Sequence, residues 1–148
     1  MQIFTVTLNP GLDRTLTVPE IRFSEVLRAA DLRLDWGGKG FNVSRALQAL
    51  GVESVAMGFV GGATGEMLAQ GLKGLGIETD FVPIDGETRT NTVIAEAGSD
   101  RYIKVNEAGP TISAQELAAL FARVRSRVSD GSVWVFCGSL PPGAPVDA

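Results

Sequence analysis

The sequence predicts an α/β fold in which helices cover a parallel sheet. Short runs of β-branched and aromatic residues alternate with segments of helical periodicity, in the order strand, helix, strand, helix, strand. This alternation is typical of parallel sheets joined by right-handed crossovers. Further extended segments interrupt the order and predict a small second sheet beside the core. The 148 residues, 45% of them apolar, suffice for one domain or part of one.

The first half of the core is predicted from turn residues and apolar spacing. A strand is expected over residues 3–8 (IFTVTL), which precede the turn sequence NPG. A helix is expected over residues 41–50, opened by glycines and capped by Gly51. Its predicted inward face consists of Phe41, Ser44, Ala46, Leu47 and Leu50.

The rest of the core follows the same pattern. Strands are expected over residues 54–60 and 77–82, on either side of a helix over residues 64–75 with Met67, Leu68 and Leu72 inward. Ser113 and Glu116 form a capping-box pattern at the start of a helix over residues 114–127. The apolar face of that helix is predicted to comprise Leu117, Leu120, Phe121 and Val124. The run VWVF at residues 133–136 predicts a strand buried on both faces.

The second sheet is expected from four extended segments. Residues 90–96 and 101–105 flank the turn sequence AGSD and predict a β-hairpin. Residues 15–18 and 29–35 supply the other two extended segments. We interpret them as a lid over the core, formed by segments at about residues 12–36 and 88–107 of a single domain.

Composition excludes several classes of function. The net charge of −4 argues against a nucleic-acid partner, which requires an electropositive surface. The absence of histidine excludes Ser-His-Asp catalysis and histidine-ligated zinc, and the lone Cys137 excludes an internal disulfide and a cysteine-rich metal site. No apolar stretch approaches the roughly 20 residues of a membrane span, so we expect a cytoplasmic protein with no membrane partner.

Two polar motifs near predicted strand ends are candidate binding elements, because ligands of open α/β sheets bind at the carboxyl ends of strands. Asp13, just after the first strand, could accept hydrogen bonds from two neighbouring hydroxyls, although a turn aspartate that caps its own backbone is the commoner case. The second motif places glycines directly before a helix N-terminus, a geometry that favours anions and polar ligands. Its candidate residues are Gly37, Gly38, Lys39 and Asn42, and the alternative is a turn that needs glycine only for backbone geometry.

Three further residues could hold an anion. Arg89 offers the planar fork that matches a phosphate, and Lys104 on the returning hairpin strand adds a point charge. A solvated charge on an exposed strand is the alternative, and for Lys104 alone it is the better one. Ser139, in the sequence GSLPPG, could bind the same phosphate through its hydroxyl, but it lacks an activating base and is a poor nucleophile.

Six motifs in order along the chain resemble those of the ribokinase (PfkB) family of carbohydrate kinases. They are TLNPGLDRT at residues 7–15, GGKGFNVSRAL at 37–47, GFVGGATGE at 58–66, ETRTN at 87–91, NEAGP at 106–110 and GSLPPG at 138–143. The resemblance is strongest to family members that act on ketose phosphates. It implies a Rossmann-like, ribokinase-like core with a β-sheet lid, a homodimer formed through that lid, and transfer of a phosphoryl group from ATP with Mg²⁺.

The resemblance also implies roles for the candidate residues. Asp13, Gly38 and Asn42 would bind sugar hydroxyls, and Arg89 and Ser139 would hold the phosphate already on the sugar. Lys39, Arg28 and Lys104 would be additional anion contacts. The expected reaction converts fructose 1-phosphate to fructose 1,6-bisphosphate, with tagatose 6-phosphate as the alternative substrate.

One family motif is missing from the sequence. Family members are roughly twice as long, and their second half carries a Gly-Ala-Gly-Asp type motif with the catalytic base and most of the nucleotide site; no such motif occurs here. We therefore expect no catalytic residue in this chain, which would be an N-terminal half without turnover of its own. A non-catalytic sugar-phosphate-binding module is the alternative, and a nucleotide-binding oxidoreductase is disfavoured by the lack of a G-x-G-x-x-G fingerprint.

Overall fold

The computed structural model of the chain describes residues 2–145, which form two four-stranded sheets and three helices. In chain order the elements are β1 (Ile3–Thr7), β2 (Gly11–Val18), β3 (Asp31–Gly37), α1 (Lys39–Ala49), β4 (Val55–Val60), α2 (Gly62–Gly74), β5 (Glu78–Pro83), β6 (Arg89–Glu96), β7 (Tyr102–Asn106), α3 (Ala114–Arg127) and β8 (Val133–Phe136). The α/β class and the order of elements predicted from the sequence are confirmed.

The core sheet has the strand order β5-β4-β1-β8, and all its pairs are parallel. Alternate residues of β4 divide between two apolar clusters, one on each face of the sheet. Met57 and Phe59 pack with Leu120 of α3, whereas Ala56 packs with Phe41 of α1 and with residues of α2. Helices thus cover both faces of the central strands, which explains the nearly continuous apolar sequence of β4.

Strand β8 is less buried than its sequence predicts. Phe136 is 60% exposed and Val133 is 41% exposed, so the expectation of a strand buried on both faces is wrong. The physical reason is the position of β8 at the sheet edge, where β1 is its only neighbour among the described strands. Trp134 is half-buried and stacks on Phe4, with ring centroids 4.2 Å apart.

The predicted helix faces are partly wrong as well. Ala46 is exposed, Leu50 is 78% exposed and Met67 is 44% exposed, although all three were expected to face inward. Leu50 lies beyond the last turn of α1, and Gly51 follows it with φ +74°, as the predicted cap requires. Phe41, Ser44, Leu68 and Leu72 are buried as predicted.

Helix α3 begins at the predicted capping box. The Ser113 hydroxyl accepts a hydrogen bond from the Glu116 amide, and the Glu116 carboxylate accepts one from the Ser113 amide at 2.7 Å. Hydrogen bonds from the amide and hydroxyl of Ser113, followed by the amide of Asp85, hold the pKa of Glu116 below its usual value. The cap therefore also ties α3 to the end of β5.

The second sheet has the strand order β3-β2-β6-β7, with β2 and β6 parallel and the other pairs antiparallel. The predicted hairpin is present as β6 and β7. Strand β2 begins at Gly11, four residues before the predicted segment, because its first residues pair with both β3 and β6. The sheet contacts the core through Trp36, whose ring lies directly against Gly71 of α2.

None of the helices within residues 2–145 combines the length and apolar character that crossing a membrane would require.

Candidate functional site

A cleft of about 730 Å³ lies between the carboxyl ends of the core strands and one face of the second sheet. All eight residues predicted to bind substrate line it, namely Asp13, Gly37, Gly38, Lys39, Asn42, Arg89, Lys104 and Ser139. Six more residues contribute to its walls, namely Thr7, Asn9, Gly11, Asn91, Asn106 and Gly138. The structure therefore brings the candidate residues together from both sheets and from α1.

Asp13 lies within β2 and not in a turn. It is half-buried, and its Oδ1 accepts a hydrogen bond from Asn91 Nδ2 at 2.8 Å. Its other carboxylate oxygen faces Gly37, where an added β-carbon would lie 2.7 Å away. The turn interpretation of Asp13 thus does not apply, because the carboxylate is oriented by neighbouring strands and lines the cleft.

The glycines before α1 bring the helix N-terminus to the cleft. Gly38 occupies the N-cap position with φ +153°, and a β-carbon there would lie 2.8 Å from the Phe41 ring. No side chain caps this helix from that position, although Gly40 N–H donates to Thr7 Oγ1 at 3.1 Å. Lys39 and Asn42, in the first turn of α1, have exposed side chains. A helix N-terminus in this arrangement favours an anion or a polar ligand.

Arg89 joins two loops at the cleft wall. Its two terminal nitrogens donate to the backbone carbonyls of Glu107 at 2.9 Å and Asn9 at 3.0 Å. A guanidinium carries five N–H groups, so each terminal nitrogen keeps one N–H beyond these bonds. The arginine that the sequence assigned only to phosphate is therefore also a structural link between the segment after β1 and the segment after β7.

The remaining predicted anion contacts differ in position. Lys104 lies on β7 and Ser139 follows β8, and both are exposed at the cleft. Asn9 Nδ2 lies 3.4 Å from Ser139 Oγ and donates to the Ala108 carbonyl at 2.9 Å. Arg28 does not line the cleft, because it lies exposed in the connection between β2 and β3.

The charges of the cleft suit an anionic, hydroxyl-rich ligand. Three cationic side chains, Lys39, Arg89 and Lys104, line it, and Asp13 is the only carboxylate among its described lining residues. No group of three or more metal-ligating side chains occurs among residues 2–145. Mg²⁺ is commonly held by one or two carboxylates together with substrate phosphates and water, and among the described lining residues only Asp13 could supply a carboxylate.

Comparison with known proteins agrees with this geometry. Residues 8–148 match the pfkB family carbohydrate kinases. The chain belongs to this family. The 1-phosphofructokinase of Bacillus subtilis strain 168 is 37% identical over 145 residues, which cover 98% of this chain and 46% of that protein.

Solved structures show the same fold. Escherichia coli phosphofructokinase-2 in complex with fructose 6-phosphate superimposes with a TM-score of 0.92 at 32% identity, over 99% of this chain and 48% of that one. A Thermotoga maritima protein described as a possible 1-phosphofructokinase gives a TM-score of 0.89 at 36% identity, over 98% and 47%. The chain is thus a ribokinase-like α/β protein that spans about half the length of the relatives it matches.

Sequence reasoning did not single out six residues of the cleft wall, and Asn9 and Asn91 are two of them. Both stand inside the quoted motifs, Asn9 in the turn sequence NPG and Asn91 at the end of ETRTN. The sequence NPG predicts only a turn at Asn9, and in ETRTN the charge of Arg89 is the only feature that indicates binding. Both asparagines are buried, at 5% and 8% exposure, and polar residues are rarely buried without a partner or a role.

Proposed function

We propose that this chain forms the sugar-phosphate-binding part of an ATP-dependent kinase that converts fructose 1-phosphate to fructose 1,6-bisphosphate. The observation that carries the proposal is the cleft, which is lined by one acceptor carboxylate, three cationic side chains and a helix N-terminus. Membership of a carbohydrate kinase family supports the reaction class. The identity to a 1-phosphofructokinase supports the choice of ketose phosphate.

The proposed roles divide the cleft into two poles. Asp13 would accept hydrogen bonds from sugar hydroxyls, with Gly37, Gly38 and Asn42 forming the wall beside it. Lys39, Arg89, Lys104 and Ser139 would donate to the phosphate already present on the sugar. This division suits a ligand with an anionic end and a polyol end, and it disfavours a neutral sugar or a free nucleotide base.

ATP and Mg²⁺ are proposed as the family's phosphoryl donor and metal, and Mg²⁺ would arrive with the ATP phosphates. When bound, they would supply the phosphoryl group and neutralise its charge. The 148 residues alone are proposed to bind substrate without turnover, because the Gly-Ala-Gly-Asp type motif that carries the catalytic base in the family does not occur in them. Loss of general-base catalysis alone typically costs about 100- to 10,000-fold in rate.

A homodimer through the second sheet is proposed on separate grounds. Large apolar side chains are exposed there: Leu32 is 50%, Val105 59% and Tyr102 64% exposed, and Phe23 and Val26 in the β2–β3 connection are 78% and 85% exposed. Exposed apolar side chains mark interaction surfaces where they lie together, as Phe23 and Tyr102 do at the edge of this sheet. Escherichia coli phosphofructokinase-2 is known in a tetrameric form. Sedimentation equilibrium of wild type and Tyr102→Lys would test it, with dimer expected for wild type and monomer for the variant.

The enzymatic proposal is tested by a coupled assay of phosphoryl transfer from ATP. The 148-residue chain is compared with a polypeptide extended to the length of its relatives, on fructose 1-phosphate, fructose 6-phosphate and tagatose 6-phosphate. We expect turnover only with the extended polypeptide and the highest kcat/KM for fructose 1-phosphate. Preference for tagatose 6-phosphate would establish the alternative substrate. Turnover by the 148-residue chain would contradict the proposal that this chain binds the substrate without catalysing the reaction.

A further inference from the structure

Asn91 is a buried amide at the cleft whose hydrogen bonding is incomplete. It is 8% exposed and lines the cleft from β6, and its Oδ1 has no hydrogen-bond partner within residues 2–145. Its Nδ2 donates to Asp13 Oδ1 at 2.8 Å. Leaving a buried acceptor unpaired is costly, so such an atom at a binding cleft indicates a donor supplied by the ligand.

The orientation of the Asn91 amide is fixed by its neighbour. An ionised carboxylate only accepts hydrogen bonds, so the NH₂ group must face Asp13. The opposite orientation would place two acceptor oxygens against each other. The carbonyl oxygen is therefore the atom left for a ligand.

The position of Asn91 beside Asp13 also limits the kind of ligand group. The two residues are paired in register on the adjacent parallel strands β2 and β6, whose backbones lie about 4.8 Å apart. An amide oxygen cannot form a hydrogen bond with a fully ionised phosphate monoester, because the oxygens of both groups are acceptors. Two acceptors side by side instead match two neighbouring hydroxyls of a polyol.

Two other buried polar atoms lack hydrogen-bond partners within the described residues, but neither is an acceptor that a ligand in the cleft could reach. Asn9 Oδ1 lies against Gly109, where no room remains even for a β-carbon. Arg89 Nε is a donor and lies close to Gly11. Of these three atoms, Asn91 Oδ1 is therefore the one that can accept a hydrogen bond from a sugar hydroxyl.

We propose that Asn91 is a specificity-determining residue: its Oδ1 accepts a hydrogen bond from a sugar hydroxyl next to the one bound by Asp13, while its Nδ2 holds the Asp13 carboxylate in place. The proposal rests on the proposed function and adds a residue whose hydrogen bond depends on the position of one sugar hydroxyl. It predicts that the site discriminates between sugar phosphates that differ in one hydroxyl. Sites that bind a hydroxyl through buried polar groups reject analogues lacking it.

The test is a calorimetric binding cycle on the 148-residue chain. The ligands are fructose 1-phosphate, its 3-deoxy and 4-deoxy analogues, and inorganic phosphate. The variants are Asn91→Ala and, in case that variant folds poorly, Asn91→Ser. Thr92→Ala serves as the control, because it changes the adjacent residue of β6, which does not line the cleft.

In wild type and the control, we expect one deoxy analogue to bind about tenfold more weakly than fructose 1-phosphate. In the Asn91 variants that difference should vanish, while affinity for inorganic phosphate stays unchanged. Undiminished discrimination in a folded Asn91 variant, or none in wild type, would overturn the inference alone. Failure of wild type to bind fructose 1-phosphate would overturn the proposed function, and the inference with it.

Discussion

Gly37 lies so close to Asp13 that no other residue fits without moving the carboxylate. A β-carbon at Gly37 would lie 2.7 Å from Asp13 Oδ2 and 2.6 Å from the Gly11 carbonyl oxygen. Gly37 lies on β3 and Asp13 lies on the neighbouring strand β2, at the end of the second sheet that borders the cleft. The glycine therefore sets the position of the proposed hydroxyl-binding carboxylate.

Substitution Gly37→Ala is expected to weaken fructose 1-phosphate binding by about 10- to 100-fold, because the new methyl group must displace both the Asp13 carboxylate and the Gly11 carbonyl. Titration calorimetry measures the loss, and thermal unfolding checks that the chain still folds. The same substitution in an Asp13→Ala background is the control, since residues that act through one another are not additive. The clash with the Gly11 carbonyl persists in that background, so a smaller additional loss is expected there, and a loss as large as that in wild type would contradict the assigned relationship.

The phosphate pole is tested by removing one charge. Lys104→Met should weaken binding of both fructose 1-phosphate and inorganic phosphate by about three- to tenfold at low salt, with a smaller effect at high salt because of screening. Lys73→Met, at the exposed end of α2, makes the same change of charge away from the cleft. Equal losses in the two variants would show that net charge, and not a phosphate contact, is responsible.

The contact between Trp36 and Gly71 should hold the second sheet on the core. Gly71→Ala inserts a methyl group into the indole ring and is expected to destabilise the chain by about 1–3 kcal/mol. Gly74→Ala, in the same helix with no atom within 4 Å of the new carbon, should be neutral or stabilising. Urea unfolding of both variants gives the comparison, and equal midpoints would disprove the packing account.

The capping box of α3 should make stability depend on pH. The pKa of Glu116 is lowered in the folded chain, so its contribution is present above the unfolded value of 4.5 and is lost as pH falls through the folded pKa. Glu116→Gln should therefore lower Tm at pH 7, by about 2–4 °C, and the gap to wild type should close as pH falls through the folded pKa of Glu116. Glu53→Gln, at an exposed position, is the control, and a gap independent of pH would contradict the assignment.

Elements encoded by local patterns could be predicted from the sequence. The α3 helix follows from the Ser113–Glu116 pair, and the β6–β7 hairpin follows from alternating residues around a turn whose Gly98 has φ +70°. The meeting of Asp13, Gly38 and Ser139 at the cleft could also be predicted, because Asp13 and Ser139 follow the carboxyl ends of core strands and Gly38 directly precedes a helix.

Features that depend on distant partners could not be predicted. The early start of β2 at Gly11 reflects pairing with two strands that lie far away in sequence, since glycine and aspartate are poor strand formers. The hydrogen bond from Arg89 to the Asn9 carbonyl joins residues that are 80 positions apart in the sequence. The exposure of Phe136 likewise follows from the place of β8 in the sheet, which its own sequence does not specify.

The central claim is that the cleft binds a ligand with both a phosphate and sugar hydroxyls. The most direct measurement is a calorimetric titration of the 148-residue chain with fructose 1-phosphate, fructose and inorganic phosphate under identical conditions. The account predicts that fructose 1-phosphate binds at least tenfold more tightly than either part alone and that Asp13→Asn removes this advantage while phosphate binding remains. Equal affinity for fructose 1-phosphate and inorganic phosphate, unaffected by Asp13→Asn, would contradict it.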